Sequence, residues 1–141
     1  KFTIFKFRTM IADTANFKEA DRLTSLGIFL RKFSLDELPQ LFNVIKGDMS
    51  LIGPRPLLIE YDDHYSDRQN LRFKVKPGIT GLAQVQGRNN LTWEEKFELD
   101  IKYVQQLSFI NDVKILIKTI KVVFFSKGFK RVGEDKKFNE K

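Results

Sequence analysis

Hydrophobic and polar residues alternate at the start of the chain and then follow a helical spacing over most of its length. The alternation of apolar with polar side chains over residues 2–9 predicts a β-strand. Recurrence of apolar residues every three or four positions is typical of amphipathic helices. This spacing predicts helices over 11–31, from Ser34 to Gly47 and over 57–70.

Two segments have the Ser/Thr-x-x-Glu pattern of a helix capping box. Thr92 and Glu95 open one predicted helix, which has an apolar face, and Ser34 and Glu37 stand at the start of another. Pro39 bears on the second helix, because it would remove a hydrogen bond if the helix began at once. It would be tolerated in the first turn of a helix that began near residue 36 or 37.

The rest of the pattern completes one domain. The Pro-Gly pair and spaced glycines of residues 73–87 predict short strands and turns, and a last helix is expected from about Asp112. Residues 127–141 are dense in charge and predict a frayed tail. We therefore predict an α+β fold, a mainly helical single domain with a few short strands, over residues 1–126.

Composition narrows the chemistry. The 141 residues include no cysteine and one histidine, which excludes disulfides and thiolate metal sites and argues against a zinc site or a Ser-His-Asp triad. The net charge of +7 indicates an anionic partner, which charge alone leaves open among nucleic acid, an anionic lipid surface and a phosphorylated small molecule. No apolar run approaches the roughly 20 residues of a membrane-spanning helix.

The last predicted helix carries a basic stripe beside a wide apolar arc. Lys114, Lys118 and Lys121 are spaced four and three residues apart, so they share one face. This pattern is found in helices that lie on anionic membranes and equally in core helices with solvated lysines. The pattern alone leaves both interpretations open.

Asp36 and Glu37 are adjacent acids at the start of a predicted helix. They are explained by capping and by the helix dipole, to which each carboxylate contributes about 0.3–1 kcal/mol. They also suit catalysis, since an ionised aspartate is a nucleophile and an adjacent acid can hold a divalent cation that neutralises a phosphate.

Three arginines are candidate phosphate ligands, because a guanidinium group matches phosphate oxygens bidentately. Arg31 lies five residues before Asp36, and Arg88 follows the predicted strand that ends at Gly87. Arg55 lies between two prolines that stiffen the backbone presenting it. Each arginine, taken singly, is also compatible with an ordinary solvated surface position.

Three segments closely resemble the bacterial sugar transferase family, the monotopic phosphoglycosyl transferases. They are "KFRTM", "LRKFSLDELPQLFNVIKGDMSLIGPRP" and "KPGITGLAQVQGRNNLTWEEKFELDIKYV", and the resemblance extends over about residues 2–126. It implies an enzyme that moves a sugar 1-phosphate from a nucleotide sugar, usually a UDP-sugar, to a polyprenol phosphate such as undecaprenyl phosphate. This reaction begins the assembly of a surface glycan at the cytoplasmic face of the bacterial inner membrane, and the resemblance leaves the sugar open.

The resemblance also implies roles for individual residues. Asp36 would attack the phosphorus next to the sugar, giving an aspartyl phosphosugar and releasing UMP, and Glu37 would help bind Mg²⁺. The remaining matching positions would bind substrate: Arg31, Arg55, Arg88, Asp100 and Asp112.

Family members carry an N-terminal hydrophobic helix that enters the bilayer, and the chain begins at Lys1, after that region. The chain is therefore expected to be a fragment whose soluble part lies on the membrane. In that setting, Lys114, Lys118 and Lys121 are expected to contact the anionic membrane surface.

Two other functions fit parts of the sequence. A nucleic-acid-binding module would explain the positive charge, but the basic residues are spread along the chain without a recognisable motif, so no nucleic-acid partner is predicted. A membrane-docking scaffold without catalysis differs from the enzyme in one measurable property, the release of UMP from UDP-sugars.

Overall fold

The structure of the chain, a computed structural model, describes residues 1–12, 22–87 and 91–125. These residues form a single α+β domain, which confirms the predicted fold class. Its regular elements are α1 (Ser25–Lys32), α2 (Gln40–Lys46), β1 (Ser50–Ile52), β2 (Gly78–Thr80), α3 (Leu82–Gln86), α4 (Trp93–Gln105) and α5 (Phe109–Phe125). Three short 3₁₀ helices span Leu35–Glu37, Ile59–His64 and Gln69–Lys74.

The two strands form a small parallel sheet. Ser50 pairs with Gly78, and Ile52 pairs with Thr80. Directly after β1, the amide of Gly53 donates to the carbonyl of Thr80 at 2.9 Å. A Cβ atom at Gly53 or at Gly78 would overlap the facing backbone, so only glycine permits this close approach. The loop that carries Arg55 is therefore fixed to the edge of β2.

The core lies between α4 and the segments packed on it. The capping box at Thr92 is confirmed, since its hydroxyl accepts from the amide of Glu95 and the Glu95 carboxylate accepts from the amide of Thr92. Phe97 and Ile101 on α4 are almost fully buried. Helix α4 packs against the 3₁₀ helix Gln69–Lys74 and against α3.

Helix α5 begins three residues earlier than predicted and packs on α3 and both strands. The side chain of Ile115 on α5 is buried, and the hydroxyls of Thr119 and Thr80 lie 2.8 Å apart. Much of the rest of its apolar surface is exposed, including Phe109 at 82%. Among the described residues, no helix combines the length and the apolar character that crossing a bilayer requires.

The predicted strand over residues 2–9 is wrong. Two backbone groups of this segment bond to a side chain instead of a neighbouring strand: the amide of Phe5 donates to Oδ1 of Asn43 at 3.1 Å, and Nδ2 of Asn43 donates to the carbonyl of Thr3 at 2.8 Å. Asn43 belongs to α2, and its side chain is completely buried against this segment. Alternation alone could not reveal that the partner of the segment was an amide side chain.

Other boundaries also differ from the sequence predictions. The helix predicted over 11–31 is replaced within the described residues by α1, which begins at Ser25 behind the N-cap Thr24, while residues 13–21 lie outside the described part. The helix predicted over 57–70 is two 3₁₀ helices, and the segment before Arg88 is the helix α3 instead of a strand. The predicted tail, 127–141, lies outside the described residues.

Candidate active site

The adjacent acids lie in a tight turn between α1 and α2. Ser34 has a left-handed backbone with a φ of 55°, and Leu35–Glu37 then form a single 3₁₀ turn, here called the dyad turn. The side chain of Ser34 makes no capping hydrogen bond, and α2 begins only at Gln40, after Pro39. The capping box predicted at Ser34 is therefore wrong, as is the single helix to Gly47, although Gly47 does end α2 with a φ of 84°.

Asp36 is held beneath the N-terminal segment. Its residue surface is only 3% exposed, and its Oδ2 atom lies 3.0 Å from Nζ of Lys6. The amide of Phe7 donates to the backbone carbonyl of Asp36 at 2.9 Å, so the segment is tied to the dyad turn beside this ion pair. The carboxylate of Asp36 is thus backed by a cation in a site that excludes most of the solvent.

Glu37 lies between two cations. Nη2 of Arg55 donates to Oε1 at 2.7 Å, Nη1 donates to Oε2 at 3.4 Å, and Nζ of Lys6 lies 3.7 Å from Oε1. Burial raises the pKa of Glu37, but the charges and hydrogen bonds of Arg55 and Lys6 outweigh this effect, so the pKa is lowered from its usual value of 4.5. Glu37 is therefore ionised at neutral pH.

A second ion pair lies behind Arg55. The guanidinium group of Arg72 donates to Oδ2 of Asp100 and also to the backbone carbonyl of Arg55. Burial raises the pKa of Asp100 to about 6, although the charge and hydrogen bonds of Arg72 act in the opposite direction. The predicted contact of Asp100 with substrate stays a prediction, and the contact that the structure contains is with Arg72.

Arg31 lines a basic groove that also includes Lys6, the cationic partner of Asp36. Its Nε donates to the hydroxyl of Thr9 at 2.8 Å, which draws the last turn of α1 towards the N-terminal segment. The groove has a volume of about 520 Å³, and its cationic lining residues are Lys6, Arg8, Arg22 and Arg31. Arg31 and Lys6 thus share one groove, which has a positive potential suited to phosphate groups. Arg88, also predicted to bind phosphate, lies outside the described residues.

Asp112 lies at the start of α5, on a different groove. Its Oδ1 accepts from the hydroxyl of Tyr103 at 2.9 Å, and that hydroxyl also lies 3.2 Å from the carbonyl of Ile52. The groove, of about 480 Å³, is mainly apolar and includes side chains of α2, β1 and α5. This contact joins α4 to the end of β1, and the predicted role of Asp112 in substrate binding stays a prediction.

The carboxylates of the dyad turn are oxygen donors of the kind that Mg²⁺ prefers, and in this structure they are paired with Lys6 and Arg55. Within the described part of the chain, no group of three or more acidic or histidine side chains could enclose a metal. Asp36 and Glu37 supply two adjacent carboxylates, and Mg²⁺ commonly binds one or two protein carboxylates together with substrate phosphates and water. Two carboxylates are too few for a closed protein site, so an ion held here would take its other ligands from substrate or water.

Sequence reasoning missed two charged residues of this site. Lys6 contacts both acids from about thirty residues away, and Arg72, which lies just after the helix predicted over 57–70, contacts the backbone of Arg55. Both contacts arise from the packing of distant segments, which no local pattern encodes.

Comparison with known proteins places this geometry in a family context. The family model described as "Bacterial sugar transferase" matches residues 1–126. The sugar transferase EpsL of Bacillus subtilis, itself uncharacterised, is 51% identical over 94% of this chain and 67% of its own length. The UDP-glucose:undecaprenyl-phosphate glucose-1-phosphate transferase of Caulobacter vibrioides is 43% identical over 84% of this chain and 50% of its own length.

A third relative, the undecaprenyl-phosphate galactose phosphotransferase of Salmonella typhimurium, is 50% identical over 75% of this chain. Only 22% of its length is matched. The chain therefore spans between about a fifth and two thirds of these three relatives.

Proposed function

Since the chain belongs to the bacterial sugar transferase family, we propose that it is the catalytic part of a polyprenol-phosphate sugar-1-phosphate transferase. The donor is a UDP-sugar, and the acceptor is undecaprenyl phosphate. Two relatives, from Caulobacter vibrioides and Salmonella typhimurium, are named for transfer to undecaprenyl phosphate, which supports this choice of acceptor. The observation that carries the proposal is the buried Asp36 carboxylate, which lies against Lys6 beside the Glu37–Arg55 pair.

In the first step, a carboxylate oxygen of Asp36 attacks the phosphorus that carries the sugar. A new oxygen–phosphorus bond forms to Asp36, the bond to the bridging oxygen breaks, and UMP leaves with the electron pair of that bond. The product is an aspartyl phosphosugar. A carboxylate nucleophile needs no general base, because its attack does not require the removal of a proton.

Two anions must approach each other in this step, and the cations of the site reduce their repulsion. Lys6 lies against Asp36, and Arg31 lines the same groove, so the phosphates of the donor would enter a positive potential next to the nucleophile. Arg55 projects from the stiff Gly-Pro-Arg-Pro loop, where its guanidinium fork can pass from Glu37 to a phosphate.

Glu37 is the residue that would hold magnesium. When bound, the ion supplies positive charge to the phosphate oxygens of the donor. Glu37 is suited to this role because its lowered pKa keeps it ionised, and Mg²⁺ prefers charged oxygen ligands.

In the second step, a phosphate oxygen of undecaprenyl phosphate attacks the same phosphorus. The bond from phosphorus to Asp36 breaks, its electrons return to the carboxylate, and the product is a polyprenyl diphosphate sugar. Asp36 is regenerated, so the enzyme turns over without any change in its oxidation state. Because the bond to phosphorus forms and breaks at one carboxylate, this reaction requires neither a cysteine nucleophile nor a Ser-His-Asp triad.

An acceptor of this kind is confined to a membrane, and we include contact with an anionic membrane surface in the proposal. Lys114, Lys118 and Lys121 are all exposed on one face of α5, beside the exposed apolar side chains of Val113, Leu116, Ile117 and Ile120. The opposite face is packed through Ile115. A helix with one packed face, one apolar exposed face and flanking lysines has the pattern of an interfacial helix.

The experiment that tests the proposal traps the covalent intermediate. The full-length protein is incubated with magnesium and a UDP-sugar labelled in its sugar, without undecaprenyl phosphate, and label on the denatured protein is counted. We expect label on the wild type and none on Asp36→Asn, because an amide has no anionic oxygen to attack phosphorus. Glu37→Gln should be severely impaired, with a defect that depends on magnesium concentration.

Wild-type levels of label on the Asp36→Asn protein would contradict the assignment of the nucleophile. A scaffold without catalysis predicts instead that no UMP is released by the wild type from any UDP-sugar in the presence of magnesium and undecaprenyl phosphate. Binding of random DNA at micromolar concentration with a steep salt dependence would favour the nucleic-acid function, which the proposal excludes.

A further inference from the structure

The buried arginine behind the candidate site makes three hydrogen bonds to two different partners. Nε and Nη2 of Arg72 donate to Oδ2 of Asp100 at 3.1 and 2.8 Å, and Nη2 also donates to the backbone carbonyl of Arg55 at 2.6 Å. Arg72 and Asp100 are each 3% exposed. A charged side chain is thus buried at the point where it contacts the backbone of a residue in the candidate site.

Burying a guanidinium group is costly unless its charge and donors are satisfied. Here Asp100 supplies the opposite charge, and three aromatic rings surround the guanidinium carbon of Arg72. The ring centroids of Tyr65, Phe73 and Phe97 lie 5.9, 5.6 and 5.4 Å from it. Each ring contributes a favourable cation–π interaction. The guanidinium group is therefore held from several sides and has little freedom to move.

The side chain of Arg55 makes the next contact in this chain of interactions, because it binds Glu37 through both of its terminal nitrogens. Pro54 and Pro56 restrict the backbone on either side of Arg55. Because the dihedral angles on either side of Arg55 are restricted, a change in the direction of its carbonyl also changes the direction of its side chain.

We propose that Arg72, held by Asp100, is a positioning residue that fixes the backbone of Arg55 and so directs its guanidinium group towards Glu37 and the donor phosphates. Arg72 itself does not touch the reacting atoms. Asp100 acts one step further back, by compensating the charge of Arg72 and orienting its fork. The part of this inference that concerns phosphates rests on the proposed function, and the part that concerns the Arg55–Glu37 contact does not.

The chain contains a matched control for this pair. Arg68 and Glu98 join the same two regions, the segment around the 3₁₀ helix Gln69–Lys74 and helix α4, with two hydrogen bonds of 2.7 Å. Both side chains are more than half exposed, and none of their described hydrogen bonds reaches Arg55. A change at Arg68 removes an ion pair of similar geometry without affecting the Arg55 carbonyl.

The conservative substitution Arg72→Lys keeps a positive charge for Asp100 but lacks the planar fork that reaches two partners at once. In the full-length protein, we expect it to shift the NMR signals of the Arg55 guanidinium group, which are assigned by their absence from Arg55→Lys. Arg68→Lys should leave these signals unchanged. This measurement needs no catalytic activity, so it tests the inference even if the proposed reaction is wrong.

The second readout is the rate of covalent labelling. We expect Arg72→Lys to lower the rate roughly 10- to 100-fold, as for a catalytic group displaced by about 1 Å. Arg68→Lys should keep the wild-type rate. Thermal unfolding of each variant shows that it is folded, and Asp100→Asn, which keeps an oxygen acceptor for Arg72, replaces Arg72→Lys if that variant does not fold.

A double-mutant cycle separates positioning from general destabilisation. If Arg72 acts through Arg55, adding Arg72→Lys to Arg55→Lys should lower the labelling rate little beyond the single Arg55→Lys change. A double variant whose loss in labelling rate equals the product of the two single losses would overturn the inference. Unchanged NMR signals of Arg55 in Arg72→Lys would also overturn it. Absence of labelling by the wild type would contradict the proposed function alone.

Discussion

Asp36 and Glu37 are neighbours in sequence, but their surroundings differ in a way that suits different tasks. Asp36 is almost completely buried and has Lys6 as its cationic partner. Glu37 is more exposed and forms an ion pair with the guanidinium group of Arg55. A nucleophile benefits from a site that excludes water, because charges interact more strongly there. A metal ligand benefits from access to an ion that arrives with substrate. The division of roles between the two acids thus has a physical basis in burial.

Lys6 is the single described cation within 4 Å of both carboxylates. We expect Lys6→Met, which keeps much of the apolar stem, to lower the rate of covalent labelling roughly 10- to 100-fold, because the charge that offsets repulsion between Asp36 and the donor is lost. The measurement is the labelling experiment with wild type and variant at equal magnesium.

Lys1→Met is the control for this prediction. Lys1 lies on the same N-terminal segment and pairs with Asp62 at 3.2 Å, but both side chains are well exposed. Such a surface pair contributes little. We therefore expect Lys1→Met to label at the wild-type rate, and a Lys6→Met protein that labelled equally fast would show that Lys6 is not needed for the attack.

At the level of elements, the sequence predicted those features that depend on neighbouring residues. The capping box of α4 depends on Thr92 and Glu95 alone, and both of its hydrogen bonds are present. The apolar face of α4 follows from helical spacing, and its residues Phe97 and Ile101 are indeed buried. The end of α2 at Gly47 follows from the ability of glycine to adopt a positive φ.

The same local pattern failed at Ser34 because tertiary contacts compete there. Phe7 bonds to the carbonyl of Asp36, and Pro39 delays the start of α2, so the backbone forms a 3₁₀ turn in place of a capped α-helix. Motif resemblance pointed to Asp36, Glu37 and Arg55 as members of one site, and the structure brings these three together. It could not supply Lys6 or Arg72, since contacts across about thirty residues depend on the whole fold.

The dyad turn is preceded by Ser34, the one non-glycine residue of the described chain that has a positive φ, at 55°. A left-handed conformation costs an ordinary residue about 1–2 kcal/mol. We expect Ser34→Gly to keep or raise the free energy of unfolding, by up to about 1 kcal/mol. Ser34→Val should lower it by roughly 1–2 kcal/mol, since a β-branched side chain resists this conformation.

Chemical denaturation measures both changes, and Ser25→Gly is the control. Ser25 is exposed and is the first residue of α1, where a helical backbone gives glycine no advantage and an entropic cost of up to about 1 kcal/mol. The two serine-to-glycine changes should therefore differ in sign or at least in size. A greater loss of stability for Ser34→Gly than for Ser25→Gly would contradict a strained turn at the dyad.

At the level of the whole molecule, the exposed apolar side chains form connected regions. Near the start of α5, Phe109, Val113 and Leu116 line one groove with Val44 of α2. Near its end, the ring of Phe124 lies 6.4 Å from Phe33, which follows α1. Helix α5 is thus close to the residue that follows α1 at one end and shares a groove with α2 at the other. It also carries several exposed apolar side chains, and clustered exposed apolar surface is typical of interaction sites.

The lysines beside this apolar surface give the last prediction. Each cation near an anionic membrane contributes about 1 kcal/mol, and the contribution decays within a Debye length. In the full-length protein, we expect the exposed face of α5 to bind vesicles that contain anionic lipids more strongly than it binds neutral vesicles. Substituting both Lys114 and Lys118 by glutamate should weaken this preference, because the exposed face of α5 would then repel the surface.

The control substitutes Lys74 and Lys102 by glutamate, which makes the same change in net charge on exposed positions of other elements. Crosslinking of α5 to a photoactivatable anionic lipid, in vesicles that contain the full-length protein, measures contact of the domain surface independently of any membrane anchor. Crosslinking should fall in the Lys114 and Lys118 variant and persist in the control, and its yield should decrease with added salt. Equal yields from both variants would show that net charge, without the α5 stripe, attracts the domain to the membrane.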